Sequence, residues 1–239
     1  MMRLDRFLTD TTELSRSQAV KTIRAGGVTV NGTPVRSPEY KIDELSAAVC
    51  CGGKQCRYQK NYYYMLDKPV GVITASRDPR QTTVLDLFPR EIQKHGIFPV
   101  GRLDKDTSGL LLLTNDGIFA HRIISPKSGI EKVYAATVSG TLEEEDTIRF
   151  REGMELEDGT RCLPAGLEII RENECRVTVQ EGKYHQVRRM LAAVGKPVLT
   201  LRRLSIGKIK LDPTLGQGNF RELNEDELCI MFKAIHMEK

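Results

Sequence analysis

The sequence predicts an α+β protein in two parts: a small N-terminal module of two helices and a β-hairpin, then a larger domain built on a mixed, mostly antiparallel sheet with flanking helices. Three observations carry this. Apolar residues recur at helical spacing ahead of an Asn-Gly turn within the first 45 residues. After residue 61, strand-like runs are joined by short turns without regular β-α-β alternation. Between them, residues 46–60 lose all periodicity and include Gly52-Gly53. The expected organisation is therefore a module over 1–45, a linker over 46–60 and a second domain over 61–239, the linker letting the module deliver a ligand to its neighbour at raised effective concentration.

In the first module Leu4, Phe7 and Leu8 form the apolar stripe of a short helix. Ser15 and Gln18 have capping-box spacing and open a second helix that turns Ala19, Val20 and Ile23 inward and stops at Gly26-Gly27. Val28 to Val30 runs into Asn31-Gly32, a strong two-residue hairpin signal, and Thr33 to Val35 returns. Arg3, Arg6, Arg16, Lys21 and Arg24 occupy the helix positions left over from the core, where phosphate contacts would arise.

The second domain opens with the strand-like Tyr62 to Leu66 and a punctuated turn, Asp67-Lys68-Pro69-x-Gly71. Further strands are expected over Ile97 to Val100, Leu110 to Thr114, Val133 to Val138, Arg176 to Gln180 and Val198 to Leu204. Helices are expected around Ile118 to Ile124, after a Thr141/Glu144 capping pair, and around His185 to Val194. No glycine-rich phosphate loop appears, so a nucleotide cofactor is not expected.

Composition sets outer bounds. With 239 residues, 40% of them apolar, the chain can build a sizeable core. No apolar run approaches the roughly 18 residues of a membrane span, so no membrane partner is expected. Cys50, Cys51 and Cys56 cluster, but without the two-residue separation of a zinc knuckle or a nearby histidine, and no metal site is expected. The six cysteines suit a reducing, cytoplasmic setting. Net charge is only +4, yet it is segregated: residues 182–210 carry eight cations and no acid, and residues 142–158 sum to −6. Such a basic segment suits a polyanionic partner.

The stretch Gly101 to Gly109 sets Asp104 and Asp106 between two apolar runs, a strand, a tight loop and another strand. A loop fixed at both ends is a good place for chemistry. Two further patches fit the same site. Lys132 and Tyr134, two apart on a strand, share a face and could offer a ring for a base to stack on. Glu181 to Met190 opens a helix from which an arginine could hold a buried aspartate ionised. From residues alone, the loop could equally be a solvated hairpin, and paired carboxylates would also suit a glycosidase.

The pattern Arg3-Leu4-Asp5-x-x-Leu8, Ser15-Arg16-x-x-Ala19-x-x-x-Ile23-x-x-Gly26 and Val28-x-Val30-Asn31-Gly32 resembles the S4 domain, an RNA-binding module. The motifs Leu66-Asp67-Lys68-Pro69-x-Gly71, Gly101-Arg102-Leu103-Asp104-x-Asp106-Thr107-Ser108-Gly109 continuing to Gly117, Glu131-Lys132-x-Tyr134 and Glu181 to Met190 resemble, in this order, the pseudouridine synthases of the RsuA/RluB/RluE/RluF group. Asp67 departs from the asparagine usual there. The resemblance implies Asp104 as catalytic aspartate, Tyr134 as the conserved aromatic and Arg188 as the basic partner of the aspartate. It implies Arg102 as the side chain that fills the space a flipped uridine leaves, with Lys132, Lys183 and Arg189 beside Arg3, Arg6, Arg16, Lys21 and Arg24 as RNA contacts. The reaction would need no cofactor, with Asp104 acting either as nucleophile or as base. The implied partner is ribosomal RNA or a small-subunit assembly intermediate, most like the 16S branch and its uridine 516. Modification of 23S RNA, or non-catalytic RNA binding, is the alternative, and a monomer is expected.

Overall fold

The computed structural model describes residues 1–237, so the last two residues of the expected second domain lie outside it. The chain divides into two compact units, residues 1–61 and residues from 62 onward.

In the first unit, helix Leu4–Thr11 buries Leu4, Phe7 and Leu8 against Ala19 and Ile23 of helix Arg16–Arg24. Ser15 caps the second helix through the expected box with Gln18. Strands Val28–Val30 and Thr33–Pro34 pair through Asn31 and Gly32, both at positive φ as a tight hairpin turn requires. The expected linker over 46–60 is not a linker. Val49–Cys51 pairs antiparallel with Val28–Val30, and Lys54–Cys56 pairs with Val49–Cys51 through Gly52 and Gly53, at φ +55° and +80°. Val49 and Cys56 close the core of this unit. Strands of three residues are too short to display a period, and a Gly-Gly turn reads as flexibility until its partners are known.

The second unit is organised on a nine-stranded sheet whose main path runs Gly166–Arg171, Glu174–Val179, Lys132–Val138, Val198–Ile206, Thr107–Thr114, Tyr63–Lys68, Phe220–Glu222. Neighbours are antiparallel except Thr107–Thr114 with Val198–Ile206, which run parallel. This is the expected mixed, mostly antiparallel sheet. Alternation splits the strands cleanly: Tyr64, Leu66, Leu111 and Leu113 join one core cluster, and Tyr63, Met65, Leu110 and Leu112 another, under helices Gly117–Ile124 and Glu225–Ala234. Helix Glu144–Glu152 is capped two residues beyond the expected position, with Glu143 and Asp146 forming the box in place of Thr141 and Glu144. Asp67 and Lys68, read as a turn, end a strand whose six residues are all buried. Strands Gly166–Arg171 and Phe220–Glu222 and the C-terminal helix are additional to the sequence reading.

Candidate active site

The loop carrying Asp104 is short because its strands reach closer than expected: Thr107–Thr114 starts immediately after Asp106, and Phe98–Pro99 pairs with its far end. Backbone anchors fix what remains. The buried Thr74 hydroxyl accepts from the Leu103 N–H at 3.1 Å and donates to the Leu103 carbonyl at 2.6 Å. The Thr107 N–H closes a turn on the Asp104 carbonyl. Beneath the loop lies Lys68, with no exposed surface, its ammonium donating to the carbonyls of Pro69, Lys105 and Thr107 at 2.9, 3.4 and 2.9 Å. Burial brings this ammonium down to about 8, with the charges of Asp104 and Asp106 pulling upward. Sequence reasoning placed Lys68 only in a turn. A lysine inside a run of buried strand residues was the available signal.

The helix Gln186–Ala193 faces this loop. Its N-cap, His185, sits at φ +49°, ψ +30°, a left-handed conformation uncommon outside glycine and often found at functional positions. Nε2 of His185 lies 3.3 Å from Oδ1 of Asp104, and the Tyr184 ring stacks on its imidazole at 3.9 Å. The expected pairing of Arg188 with the Asp104 carboxylate is not the contact recorded. Arg188 donates through Nη2 to the Asp106 carbonyl at 2.9 Å, so it holds the loop by its backbone while His185 meets the carboxylate. The reason is position along the helix: the N-cap projects toward Asp104, and Arg188, most of a turn further in, reaches the far side of the loop.

Tyr134 lies opposite Arg203 in the sheet register, and Arg203 donates from Nη1 to the phenol oxygen at 3.4 Å and from Nε to the Leu110 carbonyl at 2.7 Å. Lys132 is buried and donates to the Gln180 carbonyl. Asp104, Tyr134, Lys132, Arg188, Arg102 and Lys183 therefore do meet, lining one cleft together with Arg203 and Glu181. Its rim and floor carry five cationic side chains against two carboxylates, a setting for an anionic ligand. Several of the expected RNA contacts, Lys183 of the cleft among them, are engaged within the protein. Lys183 pairs with Glu181, Arg189 with Asp158, Arg3 with Asp5 and Arg6 with Asp10. Arg16, Lys21 and Arg24 are exposed. Asp67, the departure noted in the sequence, is buried and paired at 2.7 Å with Arg202. A carboxylate there gives a charged partner that an asparagine would lack.

A compact helical-hairpin module ahead of a mixed sheet, whose cleft sets one carboxylate beside a tyrosine among cations, defines an RNA-modifying enzyme of the pseudouridine synthase kind. The chain belongs to the RNA pseudouridylate synthase family, whose model matches residues 62–193, and the S4 domain model matches residues 2–44. It is 40% identical to an uncharacterized RNA pseudouridine synthase, YtzG, of Bacillus subtilis, over 96% of this chain and 98% of that protein. It is 39% identical to ribosomal small subunit pseudouridine synthase A of Escherichia coli K12, over 95% and 99% of the two chains. A crystal structure of a pseudouridylate synthase superposes with a TM-score of 0.68 at 36% identity, covering 97% of this chain and all of the other.

Proposed function

We propose that this pseudouridine synthase acts on small-subunit ribosomal RNA, converting uridine 516 of the 16S molecule, with the S4 domain docking structured RNA. The observation that carries the reading is the single cleft that joins Asp104, Tyr134 and a surplus of cations on a chain aligned end to end with small-subunit enzymes. The isomerisation breaks C1′–N1, turns the uracil and joins C5 to C1′, so it balances without a redox partner. Asp104, one third exposed, faces C1′ as nucleophile or base. His185 and the loop anchors hold its carboxylate in place. Tyr134 stacks on the base and is placed to help remove the C5 proton. The target must leave its own stack, a cost of a few kcal/mol that Arg102, exposed on the cleft, helps offset by occupying the space left behind. Such an enzyme works as a monomer in the cytoplasm, where ribosomal subunits are assembled. No helix among the described residues is long and apolar enough to cross a membrane.

Carbodiimide-primed reverse transcription on ribosomal RNA from a deletion strain tests the target. Loss of one stop in 16S RNA is expected, restored by the wild-type gene and not by Asp104→Asn. A stop lost in 23S RNA instead would move the enzyme to the large subunit, and restoration by Asp104→Asn would remove Asp104 from the chemistry.

A further inference from the structure

The floor of the cleft holds two buried cations that the roles above leave unexplained. Arg203 is 5% exposed and Lys132 8%, and both line the cleft beside Tyr134. Neither makes an ion pair among the described residues. The buried carboxylate in the same wall, Glu181, is already engaged by the Lys183 ammonium at 3.0 Å, the Leu163 N–H and the Gln186 amide. Burying a cation without a counter-charge costs several kcal/mol unless a ligand supplies the charge. Lys132 registers the strain: burial first, and then the nearby Arg203, push its ammonium down. Arg203 is also incompletely satisfied. Nε is spent on Leu110 and Nη1 on the Tyr134 phenol, whereas Nη2 is buried with no acceptor, and the Thr107 hydroxyl, another residue lining the cleft, is likewise unpartnered. An orphan donor on a rigid guanidinium, fixed by two other bonds, is preorganised for an acceptor brought by substrate.

The chemistry identifies that acceptor. When C1′–N1 breaks, the bonding electron pair stays with the uracil, whose charge spreads over N1 and the ring carbonyl oxygens. This holds whether Asp104 captures C1′ or removes a proton from the sugar. The charge exists only between bond breaking and bond making, and it is discharged when C5 joins C1′, the C5 proton departs and N1 takes up a proton. We infer that Arg203, through Nη2 and with Lys132 beside it, is the anion hole for the detached uracil, binding a ring carbonyl oxygen as negative charge develops there. The inference rests on this cleft being the uridine site. It also gives a reason for the Arg203–Tyr134 contact: the ring that stacks on the base and the donor that receives its charge are built as one unit.

A leaving-group comparison tests this. Fluorine at C5 stabilises the uracil anion, so a substrate RNA with 5-fluorouridine at the target depends less on protein cations. Single-turnover loss of the target nucleoside, followed by nuclease digestion and mass spectrometry, is measured on both RNAs for wild type, Arg203→Met and Lys132→Met. On uridine RNA, Arg203→Met is expected to lose about 10²- to 10³-fold in rate with RNA affinity within about twofold. On fluorouridine RNA the loss should shrink at least tenfold. Equal losses on the two substrates, or no loss on uridine, overturn the assignment. Should Arg203→Met fail to fold through loss of the Leu110 contact, Lys132→Met carries the same comparison with that anchor intact, and equal losses there overturn the assignment too. Asp104→Asn run alongside separates the two readings. If it converts uridine normally, the uridine-site reading fails; if it is inert while the substrate-dependent loss is absent, only the anion hole does.

Discussion

At the scale of single residues, the least expected element of the site is Lys68, a buried cation whose three partners are backbone carbonyls of the loop and its base. Three donors on one ammonium match three carbonyls, of which that of Lys105 also accepts from the Gly71 N–H. Lys68→Met keeps the stem and removes the donors, so it should destabilise the protein by about 2–4 kcal/mol in urea unfolding. The sign of the pH dependence follows from the depressed ammonium, about 8 against an ordinary 10.5. Between those values the unfolded chain binds more protons than the folded one, so this group makes stability rise with pH, on the order of 1 kcal/mol per unit. Wild-type stability measured relative to Lys68→Met should therefore increase from pH 8 to 10 and stay level below pH 7. A difference that is level throughout would show that the ammonium is not perturbed.

At the scale of elements, the strand Thr107–Thr114 is the member on which the site depends, since it supports Asp104 at one end and makes the sheet's parallel contact with Val198–Ile206. Gly109 permits that contact. It has φ +103°, and a Cβ there would fall 2.2 Å from the Arg203 carbonyl. Gly109→Ala must part the two strands or bend the loop, and either displaces Arg203 and Asp104 together. A loss of about 3 kcal/mol or more in unfolding free energy is expected, with turnover falling even where the variant remains folded. Elements with long patterns were legible in sequence. The Leu110 to Leu113 run, the Ser15–Gln18 box and the Asn31-Gly32 turn all appear where the residues predict them. Elements whose identity depends on a partner were not. Val49–Cys51 and Lys54–Cys56 became strands only because Val28–Val30 offered an edge, and Thr107 to Gly109 left the loop only because Val198–Ile206 lies alongside.

At the scale of the molecule, charge segregated along the chain is not segregated in space. The basic stretch 182–210 and the acidic stretch 142–158 are folded against each other through Arg189 and Asp158, and within the basic stretch Arg202 is spent on Asp67 and Lys183 on Glu181. Sequence can count these cations but cannot show which of them are already neutralised, just as the resemblance that paired Asp104 with Arg188 could not show that the helix N-cap brings His185 nearer to the carboxylate. The distinction is measurable in RNA binding, because each phosphate contact adds a fixed increment to the salt dependence. Arg16, Lys21 and Arg24 are exposed on the second helix of the S4 domain, and alanine suits a helix surface, so replacing all three removes charge at little cost to folding. If they contact phosphates, the triple variant should reduce the slope of log affinity against log salt by about 2 to 3, whereas Arg189→Ala should change it by less than about 0.5. Filter binding to a small-subunit RNA fragment between 50 and 200 mM salt, a range over which such contacts change affinity by orders of magnitude, distinguishes the two. A slope unaltered in the triple variant would transfer docking to the cleft, where Arg102 is the exposed cation next to Asp104.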